Sequence, residues 1–334
     1  MDDRAAWEAV GDWYHAWFTG TVLVAVSRRG PAEAAELVFR VFRRQQQQTF
    51  LAGLAKLGID GLPPAVAAAR YHYLSNFIGG VGVEYVEESP RKAWIRYPPP
   101  RWVWPGATIC GIPSEVNAAM LRGWHANNGV MLGRLGLGFV CTGQTVDGDP
   151  GLEGYYIEHD RDLAEEERLR FAKHERMPRF DPSQAPSLPS AEWPAERVAK
   201  AKRGYAMEYA RTVMQEAVAL WGAEAGGRLL GQAARLVAMQ HYHATAASLG
   251  VTGFAEFLVA LAVAEGDASD AVMQPDGSVI LTRSRLSLLR GVGDPHPAML
   301  AAWSELLVGS LAAHDRFARI EPMGPLSWRI IAGT

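Results

Sequence analysis

Cys141 and His125 are a pair of residues able to act as a nucleophile and its base. A thiol attacks as the thiolate, so it needs an imidazole or another cationic group to lower its pKa, and both residues fall within one helix-to-strand stretch. Cys110, in Thr108-Ile109-Cys110-Gly111, is the rival thiol. For either cysteine the plainer role is structural, because a free cysteine behaves as a small hydrophobe and packs in a strand. Asn127 and Asn128 follow His125 closely, and Arg101, Trp102 and Trp104 lie in a Pro- and Trp-rich stretch at 97–113. With Tyr73 these residues make a candidate pocket: Asn127, Asn128 and Arg101 orient polar atoms, and Trp102, Trp104 and Tyr73 form the wall. The expected chemistry is hydrolysis of a carbon–nitrogen bond in a small heterocyclic or aromatic molecule. His125 is its general base, and Cys141 or Cys110 the nucleophile or a ligand.

Two other readings compete. In the first, a transition metal is the cofactor and His72 and His125 are its nitrogen ligands, with Glu158-His159-Asp160 as a further source of donors. No HExxH spacing supports it, and His241 and His243 would stand about 200° apart around a helix. In the second, the same aromatic pocket serves a non-catalytic small-ligand sensor. Asp147-Gly148-Asp149 with Glu153 lacks the remaining positions of a calcium loop and reads as a polar turn. Gly79-Gly80-Val81-Gly82 leads into a strand instead of a helix N-terminus, the wrong setting for a phosphate cradle.

The elements that position these residues recur along the chain. Ala119-Met120-Leu121 with Trp124 returns as Ala298-Met299-Leu300 with Trp303, and Leu57-Gly58-Ile59-Asp60-Gly61 returns as Leu249-Gly250-Val251-Thr252-Gly253. Long helical patterns precede the second motif in both places, Ala32 to Lys56 and Arg203 to Ser248, and a shorter helix follows. Hairpin patterns come next, around Ser89-Pro90 and around Asp276-Gly277. Each half closes on a strand pair, 138–142 with 154–158 and 316–321 with 326–331. The expected fold is therefore α+β, two tandem copies of a helix-helix-hairpin-helix-strand pair unit.

The expected divisions are an aromatic N-terminal helical extension at 1–28, a first unit at 29–174, a Pro-rich linker at 175–197 and a second unit at 198–334. Trp7, Trp13, Tyr14, Trp17 and Phe18 crowd one face of the extension, which is expected to pack on the first copy or on a subunit partner. The first unit, which holds both cysteines and the polar run after Trp124, is expected to be the active copy and the second its scaffold. Gln45 to Gln48 is expected on a solvated or partly buried helix face, and the mixed-charge run from Asp162 to Arg170 on a solvated helix.

Composition narrows the partners. The 334 residues carry 33 basic and 36 acidic side chains spread along the chain, so no basic field exists to neutralise a nucleic acid or an anionic lipid surface. Two cysteines without CxxC spacing suit a reducing compartment, and the expected location is cytoplasmic. The strongest apolar run near the N-terminus, Thr21 to Val26, is far short of the about 20 residues a bilayer requires. A small-molecule substrate is thus the expected partner. A homodimer is the alternative to pairing of the two copies within one chain.

In its order of elements the unit resembles the family of L-2-amino-thiazoline-4-carboxylate hydrolases. The resemblance rests on Leu249-Gly250-Val251, on the helix ending Ala264-Glu265-Gly266-Asp267 and on the hairpin around Asp276-Gly277. It implies hydrolytic opening of a small sulfur–nitrogen heterocycle. The absence of cysteine from the second copy, the Trp-rich insertion and the tandem arrangement depart from a single-unit enzyme, so no catalytic residue is carried over.

Overall fold

Residues 3–99, 112–189 and 191–333 are described by a computed structural model. The fold is α+β. It divides into two compact units, residues 25–194 and residues 1–24 with 195–334, and the division falls inside the first helix, α1 (Asp3–Arg29).

In the unit of residues 25–194, Gly30 at φ +89° ends α1, and Pro31 starts α2 (Pro31–Leu57) at a position where its missing N–H costs nothing. α2 stops at Gly58, which takes the left-handed conformation and returns its N–H to Ala55 O. After α3 (Pro64–Ile78) come the hairpin strands β1 (Glu84–Ser89) and β2 (Lys92–Tyr97). Then follow α4 (Ser114–Gly123), the one-turn α5 (Asn128–Met131), β3 (Leu137–Gly143), β4 (Leu152–Glu158) and β5 (Leu169–Phe171). The sheet runs β1-β2-β4-β3-β5, antiparallel except for β5, which lies parallel to β3.

α3 lies against β1, β2 and β4, and α2 packs along α4. At Gly123 a Cβ would come within 2.8 Å of Phe39 O, so this glycine is what lets the two helices approach, and Arg43 Nε donates to its carbonyl at 2.9 Å. Strand alternation sends Ile95, Tyr97, Phe139 and Tyr156 to the helix side. On the other face Trp94, Val140, Tyr155 and Ala172 form an apolar cluster against Val86, Ile157 and Met177.

The other unit joins the start of α1 to α6 (Ala195–Leu249), α7 (Phe254–Glu265), β6 (Ser269–Met273), β7 (Val279–Arg283), α8 (Pro297–His314), β8 (Arg319–Gly324) and β9 (Ser327–Ile331). Its sheet runs β6-β7-β9-β8, the strand order of the other sheet without β5. α6 is broken at Gly222, whose φ 79° and ψ 163° nearly repeat the φ 89° and ψ 165° of Gly30. The chain thus holds a helix at 195–221 ahead of 223–249, as α1 stands ahead of α2.

Three expectations are corrected here. Residues 1–28 are not an extension resting on the first copy. Trp13 packs edge-on against Phe257 at 6.1 Å, Trp17 Nε1 donates to Leu230 O at 3.3 Å and Tyr14 donates to Glu265, so this aromatic face is core of the 195–334 unit. The expected linker 175–197 overlaps α6, which starts at Ala195, and its Trp193 is buried with the Lys56 ammonium 5.2 Å from its ring centre. The run from Asp162 to Arg170 is a single 3-10 turn at Glu165–Arg168 leading into β5. Its charges act locally there, Glu167 taking both Arg161 guanidinium nitrogens and the Ala164 N–H. No single helix among the described residues is long and apolar enough to cross a membrane.

Candidate functional site

The helix side of the 25–194 unit encloses a buried polar centre. His72 comes from α3, His125 and Asn127 from the 3-10 turn that follows α4, Asn128 from the start of α5, Gln46 from α2, Tyr97 from β2 and Tyr156 from β4. Every one of these side chains is at most 8% exposed. The two imidazoles lie face to face, ring centres 4.0 Å apart and planes 14° from parallel, with the Tyr156 ring 5.9 Å from each.

The hydrogen bonds set the proton on each ring. Gln46 Nε2 donates to Asn128 Oδ1 at 3.0 Å, so Nδ2 is the donor end of the Asn128 amide. That Nδ2 donates to His72 Nε2 at 3.1 Å and to the Tyr156 hydroxyl oxygen at 2.9 Å. His72 therefore carries its proton on Nδ1, which donates to the Tyr97 hydroxyl at 3.3 Å. Tyr156 meets His125 Nδ1 at 2.7 Å, and with the phenol as donor in that bond the His125 proton lies on Nε2. Asn127 Nδ2 closes the set on Gln46 Oε1 at 2.8 Å. In that arrangement both imidazoles are neutral, and burial holds the Tyr156 phenol well above its ordinary pKa, so its hydroxyl keeps its proton.

Beside the imidazoles stands Trp124, stacked on Tyr71 at 6.2 Å and edge-on to His72 at 5.9 Å. Its indole N–H is buried and has no acceptor. An orphaned donor in an otherwise paired centre is what a ligand's acceptor atom would satisfy.

His72, His125, Asn127 and Asn128 are brought together as the sequence suggested, and His125 Nδ1 is engaged by Tyr156 at 2.7 Å. A metal between His72 and His125 does not fit: imidazole lone pairs lie in the ring plane, and two nearly parallel stacked rings cannot aim them at one ion about 2.0–2.1 Å from each. Among the described residues no three His, Cys, Asp or Glu side chains are grouped to hold a metal ion.

Cys141 is not held as a thiolate. It is buried on β3 with Sγ 3.5 Å from Gly143 O, and burial pushes its thiol up to about 12, outweighing that hydrogen bond. Its charged surroundings are Asp149, Asp147 and Lys173, which supply no net pull toward thiolate. Tyr73, one residue from His72 and so about 100° round the helix, packs on Tyr85 and Phe180 instead of walling the centre. Cys110, Arg101, Trp102 and Trp104 lie outside the described residues.

Sequence reasoning missed Gln46, Tyr97 and Tyr156. Gln46 was legible in principle: Val38, Phe42, Gln46 and Phe50 are spaced by one turn along the buried stripe of α2, and an uncharged polar residue there needs a partner. The other unit offers an open cleft of about 490 Å³ between α6 and α8, where Arg235 pairs with Glu305 and Arg228 with Glu224.

No protein-family profile, curated protein or solved structure matches this chain.

Proposed function

We propose that the 25–194 unit binds a small, uncharged, partly aromatic or heterocyclic molecule beside the stacked histidines and holds it without covalent turnover, as a ligand sensor does. The unpaired Trp124 indole N–H carries this reading: it calls for an acceptor such as a ring nitrogen or carbonyl oxygen. The amide, phenol and imidazole groups that bond one another in this centre favour an uncharged ligand, since a charge introduced there would be desolvated. Flat aromatic neighbours, Trp124, Tyr71 and the imidazoles, suit a planar ring. The resemblance to thiazoline-carboxylate hydrolases agrees in the heterocyclic ring, though not in the carboxylate that such a substrate carries. Hydrolysis of its carbon–nitrogen bond would need an unprotonated nitrogen turned to water, and His125 Nδ1 is engaged by Tyr156.

Ligand-observed NMR with a panel of small heterocycles, on the wild-type protein and on Trp124→Phe, tests this. Saturable binding that weakens at least tenfold in the variant, with the compound recovered unchanged, is expected. Consumption of a bound compound that stops in His125→Ala would replace the sensor with a hydrolase. Equal binding by wild type and Trp124→Phe would overturn the proposed contact.

A further inference from the structure

A second polar cluster belongs to the first turn of α4 and the loop after β3. Asn117, 1% exposed, donates through Nδ2 to Gln144 Oε1 at 2.6 Å, which fixes Oδ1 as the acceptor end of its amide. That oxygen is buried and unpaired, and so is Thr145 Oγ1, next in the chain after Gln144. Gln144 Nε2 reaches Asp147 Oδ2 at 3.2 Å, and its backbone N–H donates to Asp149 Oδ2 at 2.9 Å. Ser114 Oγ donates to Asp147 Oδ1. Lys173 meets the same carboxylate at 2.7 Å from outside, its own side chain 61% exposed against 19% for Asp147.

A buried acceptor without a donor is costly, and it marks a position able to receive one. Two unpaired oxygens beside an anion call for a partner with several donors and a positive charge. An ammonium group has three N–H donors and no acceptor. We propose that this cluster binds a small molecule carrying a protonated primary amine, which donates to Asn117 Oδ1 and Thr145 Oγ1 and places its charge at Asp147. Lys173, held there by a largely solvated ion pair of little net strength, is the group it displaces. The site is separate from the Trp124 reading and stands without it.

Benzylamine, protonated at neutral pH, and benzyl alcohol, its uncharged counterpart, are suitable probes. In ¹⁵N-labelled protein the side-chain amide signals of Asn117 and Gln144 should shift saturably with benzylamine, and at least tenfold more weakly with the alcohol. Lys173→Met removes the competing cation from an exposed position and should tighten benzylamine binding several-fold; Asn117→Leu should abolish it. No saturable shift in either wild type or Lys173→Met would overturn the proposal. So would equal responses to the two probes, or weaker amine binding in Lys173→Met.

Discussion

The two units each bury a polar centre between helix and sheet, and the two are built from opposite chemistry. In the 25–194 unit the inward residue at the end of β2 is Tyr97, whose hydroxyl meets His72 and Asn76. In the other unit the inward residue at the end of β7 is Arg283, which takes Glu265 and Asp267, both with fully buried side chains, while Tyr14 donates to Glu265 at 2.8 Å and Trp303 Nε1 to Tyr14 at 3.1 Å. The Arg283 guanidinium also lies 4.9 Å from the Trp303 ring centre. The ionic centre is paired within itself, whereas the neutral centre stands beside the unpaired indole N–H of Trp124; the other unit's core holds a second such N–H, at Trp13.

The largest effect should come from breaking the ionic centre. Arg283→Met leaves Glu265 buried without its cation and Asp267 with only the exposed Arg285 at 3.1 Å, and should cost about 3–5 kcal/mol in chemical denaturation. A cost below about 1 kcal/mol would mean that the cluster is solvated and the contrast false. In the neutral centre, Asn128→Leu strips partners from Gln46, His72 and Tyr156 together but exposes no charge, so about 2–3 kcal/mol is expected by the same measurement.

Acid should separate the units next. Asp267 is opposed by burial, but its bonds from Ser287 and Arg283 outweigh that and hold its pKa below the ordinary value. A depressed carboxylate adds stability that is present above its unfolded pKa of about 3.9 and is lost as pH falls through the folded value. Glu265 works against this: burial raises its pKa, so its protonation favours the folded state as pH falls. Below about pH 4, Asp267→Asn should therefore show a shallower loss of stability with acid than wild type; an unchanged slope would contradict the assignment. The smallest effect is at Cys141. With its thiol near 12 it should resist iodoacetamide in the native protein at pH 7.5, and Cys141→Ser should leave ligand binding intact.

Much of this fold was legible because local signals and long-range packing agree. Gly58 and Gly250 end long helices in the left-handed conformation, and both hairpins and both closing strand pairs form where alternation placed them. What was hidden depends on contacts distant in sequence. β5 has only three residues and exists because β3 offers it a parallel edge. Trp13, Tyr14 and Trp17 announce a buried face, but nothing local says that their partners are Phe257, Glu265 and Leu230. His125 and Cys141 lie close in sequence and suggest a pair; the partner of His125 is Tyr156, on the neighbouring strand.

The central claim is the neutral, oriented state of the two stacked imidazoles, and long-range ¹H–¹⁵N correlation spectra of the histidine rings test it most directly. His125 should appear as the Nε2–H tautomer and His72 as the Nδ1–H tautomer at pH 7, with His125 moving to the other tautomer or losing its preference in Tyr156→Phe. An imidazolium at either position, or a proton on His125 Nδ1, would contradict the account.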